Sequence, residues 1–161
     1  MSIDPIPQVN ISRVMGLLEV LDDAGGRHDI FRLARDIHYE LGDILLVIKA
    51  AEMLGFVETP GADVVLTAVG DRMLKAKVTA RKQLLKEQLT KLPIFRAVVD
   101  ALQRSEDRRA DQDAFLEIFA LYLPAEDSEA LLKTVIDWGR YAELIGYNVE
   151  DQELYLDQAG T

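Results

Sequence analysis

The chain has 161 residues, 49% of them hydrophobic and 29% charged, with no cysteine and a formal net charge of −10. This length suits one compact domain or two small lobes, and the composition is that of a folded globular protein rather than a disordered one. Without cysteine there are no disulfides and no thiolate chemistry, which fits a reducing cytoplasm.

No apolar run approaches the roughly 20 residues that span a bilayer, and the segment 1–10 lacks the basic start and apolar stretch of a secretory signal. Direct membrane insertion is therefore not expected. The charge is uneven: residues 1–76 carry 7 basic and 12 acidic side chains, residues 77–110 carry 9 and 4, and residues 111–161 carry 2 and 12. An acidic surface repels nucleic acid and anionic lipid at long range. The basic middle is expected to neutralise the acidic lobes, within the chain or across a homodimer.

Residues 1–9 contain Pro5 and Pro7 and read as an extended arm. Asn10 or Ser12 can cap a helix that buries Val14, Leu17, Leu18 and Leu21 and stops at Gly25-Gly26. Asp29 caps a second helix, with Ile30, Leu33, Ala34 and Ile37 on its apolar side. A third helix is predicted from a cap at Asp43, burying Leu45, Ile48, Ala51 and Leu54 and ending at Gly55. The β-prone runs 56–59 and 64–66 around Pro60-Gly61 predict a hairpin, and Thr67 caps the next helix.

Residues 78–105 have helical periodicity through Leu84, Leu85, Leu89 and Leu92, divided at Pro93. Residues 104–111 are charged and read as exposed. Asp111 or Asp113 starts a helix with Phe115, Ile118, Phe119 and Tyr122 inward. A last helix is predicted over 126–145 with Gly146 ending it, followed by a hairpin of 147–149 and 154–156. Residues 51–56 (AEMLGF) resemble residues 142–147 (AELIGY) at an offset of 91, which suggests a repeated unit. The expected fold is mainly α with small β-hairpins as wings: two winged-helix-like units, 1–76 and 111–161, joined by a basic helical linker, 77–110.

Catalytic signatures are missing. The sequence has no Gly-x-x-x-x-Gly-Lys-Ser/Thr phosphate loop, no Gly-x-Gly-x-x-Gly and no Gly-x-Ser-x-Gly. His28 and His38 have no cysteine partners, and a zinc site needs three or four converging ligands. Asp29 or Glu40 could assist one of the histidines, and a surface or capping role is expected for His28. No metal, cofactor or catalytic residue is expected, and the chain reads as non-enzymatic.

In a DNA-binding winged helix, the helix after the turn presents basic and polar residues to the major groove. Here residues 43–54 offer one base, Lys49, against Asp43 and Glu52, and residues 126–145 offer Lys133 and Arg140 against five acids. Neutralising several phosphates with such faces is difficult, so nucleic acid is not the expected partner. The stretch 136–144 holds the only Trp, and Trp138, Tyr141, Ala142 and Ile145 follow helical spacing. A core stripe is one reading, with Gly139 admitting a second helix and Arg140 paired to Asp137, Glu143 or Glu150. The other makes Trp138, Arg140 and Tyr141 a partner-binding cluster, since these types dominate such sites.

Several segments, in order, resemble a known family: GLLEVL at 16–21, GGRHDIFRLA at 25–34, EMLGF at 52–56, LTAVG at 66–70, ARK at 80–82 and WGRYAE at 138–143. Together they are similar to the C-terminal AAA-associated domain of ATP-binding proteins of nitrate, sulfonate, taurine and bicarbonate-type ABC transporters. Members usually follow an ATPase module, which these residues lack; a stand-alone homologue and a fragment of a longer ATPase both fit. The resemblance implies a cytoplasmic accessory or regulatory protein-interaction domain partnered with an ABC importer ATPase, peripheral to the inner membrane through the transporter. The alternatives are a winged-helix transcriptional regulator and a small-molecule effector-sensing module.

Overall fold

The computed structural model describes residues 3–157. Among them are eight α-helices and two small three-stranded antiparallel sheets, in two compact units. The first unit is Val9–Arg81; the second joins residues 3–8 to residues 82–157.

The first unit opens with α1 (Ile11–Asp23), capped by the Asn10 side chain, which accepts a bond from the Arg13 amide at 2.9 Å. Val14, Leu17, Leu18 and Leu21 are buried as their spacing predicts. The chain leaves α1 through Gly25, at φ +83°, and the Gly26 amide reaches back to the Leu21 carbonyl at 2.7 Å. Next come β1 (Arg27–Asp29), α2 (Ile30–Ile37), α3 (Leu41–Met53), β2 (Val57–Glu58), β3 (Asp63–Leu66) and α4 (Ala68–Lys75). Strand β3 lies between β1 and β2.

Two expectations for α3 fail. Its N-cap is Glu40, without a side-chain bond, and Asp43 lies in the first turn, where its charge suits the helix dipole. The core face is Ile44, Val47, Ile48 and Ala51, whereas Leu45 is 45% exposed. Ile48, Ala51 and Leu54 are buried as expected, so the misassignment of the core face is confined to Leu45.

Helix α5 (Val78–Leu89) crosses the boundary between the units. The second unit continues with α6 (Pro93–Arg104), a 3₁₀ turn, β4 (Arg109–Asp111), α7 (Gln112–Tyr122), α8 (Ser128–Tyr141), β5 (Ile145–Asn148) and β6 (Glu153–Leu156). Its sheet has the order β4-β6-β5. Helix α6 buries Ile94, Phe95, Val98 and Leu102 and packs on β4 and β6, and residues 82–110 of the expected 77–110 linker fall within this unit. Tyr122, expected inward, is 56% exposed at the end of α7.

The units repeat one order: helix, strand, helix, helix, strand, strand. In each, a short first strand pairs with the last. Arg27 lies opposite Val65 and Asp29 opposite Asp63; Arg109 lies opposite Tyr155 and Asp111 opposite Glu153. An ion pair crosses each ladder, Arg27 with Asp63 at 2.8 Å and Arg109 with Glu153 at 3.8 Å. Asp29 and Asp111 both cap the following helix.

The third helices also end alike. Leu54 caps α3, Gly55 stands at φ +80°, and the Phe56 amide bonds the Ala51 carbonyl; Ala142 caps α8, Glu143 stands at φ +55°, and the Leu144 amide bonds the Gly139 carbonyl. The structural offset here is therefore 88, not 91. Gly146 does not end α8; it lies inside β5, beneath the Tyr155 ring.

Candidate functional site

The distinctive residues of α8 do not share one surface. Trp138 has no exposed surface and stacks on Phe95, with ring centroids 6.3 Å apart and planes 9° from parallel. Gly139 is buried beside it, where an added Cβ would lie 2.4 Å from Ile145 Cγ1. Arg140 is exposed and Tyr141 half-buried. Neighbouring positions on a helix diverge by about 100°, which sends Trp138 to the core and Arg140 to solvent.

Arg140 has no ion pair with Asp137, Glu143 or Glu150; among the described residues, Glu143 pairs instead with Lys82. This contact joins two of the segments singled out in the sequence, ARK and WGRYAE. The Lys82 ammonium holds the Glu143 carboxyl below the usual carboxylate range, through its hydrogen bond first and its charge second, with Lys86 adding to the effect. The adjacent Arg81 caps α4, donating to the carbonyls of Met73 at 3.1 Å and Leu74 at 2.8 Å.

Arg140 lines an open groove of about 480 Å³ in the second unit, formed by α7, α8 and the β5 end. Leu116, Leu132, Ile136 and Val149 supply its apolar lining, and Lys133 is its second cation. The Tyr147 hydroxyl donates to Gln112 Oε1 at 2.7 Å, fixing β5 against the start of α7. Lys133 and Arg140 stand seven positions apart on α8, and the hairpin beside the helix completes the groove that both line.

The first unit presents a different face. On α3, Leu41, Leu45 and Leu46 are 39%, 45% and 45% exposed, and Phe31 at the start of α2 is 64% exposed. Lys49 is the only base on the outward side of α3. Periodicity assigned Leu45 to the core, so this apolar face was missed.

His28 bonds Asp36 Oδ2 through Nε2 at 2.7 Å, rather than Asp29 or Glu40, and Asp29 Oδ1 accepts from the amides of Phe31 and Arg32. Among the described residues no group of three His, Asp or Glu side chains could hold a metal ion, and no helix is long and apolar enough to cross a membrane.

No curated protein and no solved structure matches the chain. The family model for the C-terminal AAA-associated domain matches residues 31–148, a span from the first turn of α2 to the end of β5 that takes in the Lys82–Glu143 pair and, apart from Val149, both the groove and the α3 face. The chain is thus a member of the C-terminal AAA-associated domain family.

Proposed function

We propose that this protein is a non-enzymatic, cytoplasmic protein-interaction domain that binds and regulates the ATPase of an ABC-type importer of the nitrate, sulfonate, taurine and bicarbonate class. Family membership supports a link to such ATPases. The observation that carries the reading is the outward face of α3. In each unit, the shared order of elements is consistent with a winged-helix-like scaffold, whose third helix would enter DNA in a transcription factor. Here that helix offers Leu41, Leu45 and Leu46 beside a single lysine. Such a face gains free energy by leaving water against another apolar surface and has too few cations to neutralise phosphates.

Co-purification with the ATPase subunit of such an importer tests this. The wild-type chain is expected to retain the ATPase, and Leu45→Glu, which alters an exposed position, to lose it while keeping its helical circular dichroism. Retention of the ATPase by Leu45→Glu would remove the α3 face from the account. Absence of any complex with the wild-type chain, together with salt-dependent binding to duplex DNA, would replace the reading with that of a transcriptional regulator.

A further inference from the structure

Lys133 and Arg140 are the only basic residues from Asp111 to the end of the chain, a stretch with 12 acids. Both line the same groove. Among the described residues neither forms an ion pair, although other bases do so with carboxylates at close range. We propose that this groove docks a short amphipathic segment of a partner protein, bearing two carboxylates over an aliphatic face.

The spacing defines the occupant. The two cations stand seven positions apart, two turns along one side of α8, which places them about 10 Å apart along the axis. One phosphate or one carboxylate does not span that distance, so the ligand is elongated. Ile136 lies between the cations, and Leu116, Leu132 and Val149 extend the apolar surface. Val149 keeps 74% of its surface in solvent, and covering it is favourable.

A nucleic-acid strand has the negative charge but would bring its phosphates onto Glu129, which also lines the groove, and onto the surrounding acids. Glu129 lies one turn beyond Lys133, on the side away from Arg140. The complementary segment therefore reads base, acid, acid along the groove, with aliphatic residues between. The Tyr147–Gln112 bond holds one wall in place before binding, which lowers the ordering cost.

This site lies in the second unit and is independent of the α3 face, so loss of either leaves the other testable. The probe is a fluorescein-labelled helical peptide with Lys, Glu and Glu spaced four and seven residues apart over a Leu face, made in both chain directions. Saturable anisotropy binding by one direction is expected, about tenfold weaker for Lys133→Gln/Arg140→Gln and for a peptide with Gln in place of Glu. Backbone amide shifts in NMR are expected to centre on Lys133, Ile136 and Val149.

No saturable binding, binding indifferent to either charge change, or shifts centred on the basic residues of 82–109 would each overturn the proposal. Sedimentation of the protein alone adds one more outcome. A concentration-dependent dimer abolished by Lys133→Gln/Arg140→Gln assigns the groove to a second copy of this chain and overturns the partner-segment reading.

Discussion

Glu143 occupies the left-handed position that ends α8, at φ +55°, and its carboxylate is held by Lys82 of α5. The equivalent position in the first unit is Gly55, for which such a backbone is unstrained. Glu143→Gly loses the ion pair but gains backbone freedom; Glu143→Ala loses the pair and keeps a Cβ at positive φ. Thermal unfolding is expected to rank Gly above Ala, and the reverse order would show that the backbone at Glu143 is not strained.

The same pair has a pH signature. The folded-state titration of Glu143 lies below its unfolded one, so the unfolded chain binds more protons between the two. The stabilisation is complete above the unfolded carboxylate range and disappears as pH falls through the folded value. The gap in urea midpoint between the wild type and Lys82→Ala is expected to close on acidification. A gap that widens toward low pH would contradict the assignment.

Buried glycines differ in what limits them. At Gly70 an added Cβ would stand 2.1 Å from the Phe56 carbonyl oxygen, which is backbone pinned by its bond from the Thr67 amide. At Gly146 it would meet the far end of the Tyr155 ring at 2.2 Å, on a side chain that is partly exposed and able to swing away. Gly70→Ala is expected to cost about 1–3 kcal/mol, and Gly146→Ala less. Denaturant midpoints at constant m-value check the order.

The Phe95–Trp138 stack anchors α6 to α8, and both rings are fully buried. Truncating Phe95→Ala is expected to cost about 3–5 kcal/mol. Because Trp138 is the only tryptophan, its fluorescence reports this core directly. Acrylamide should quench it weakly in the native protein and strongly in Phe95→Ala; strong quenching in the wild type would place the indole at the surface.

Asp29 and Asp111 perform the same task in the two units, each accepting from helix-start amides at 2.8–3.1 Å. Asp29→Ala and Asp111→Ala are each expected to cost about 1 kcal/mol, and the double variant about the sum, since the sites share no partner. A cost confined to one site would break the equivalence of the units.

Caps and stops were legible in the sequence because they depend on local chemistry. Asn10, Asp29, Thr67 and Pro93 act where their side chains predicted, and Gly55 turns the chain after α3. Strands β1 and β4 were not legible. Arg-His-Asp and Arg-Ala-Asp are too short and too polar to read as strands, and they become so only by pairing with the last strand of each unit. The end of α8 was misread because Gly146 imitates Gly55 in sequence, while the real turn falls on Glu143. The face of α3 was misread because Leu45 has the residue type of a core position without the location of one.

The two units also differ in length between matching positions. Matching positions are displaced by 82 residues at Arg27 and Arg109, by 88 at Leu54 and Ala142, and by 90 at Asp63 and Glu153. The second unit is therefore longer in α7, in α8 and in the loop between them, and again within its hairpin, while the cross-strand ion pair and the capping aspartate recur. The framework is therefore alike in the two units, whereas their outward faces differ. At the 88-residue displacement, Leu41 and Leu45 of one copy correspond to Glu129 and Lys133 of the other. One unit presents an oily face and the other a charged one, so one order of elements carries two chemically distinct surfaces.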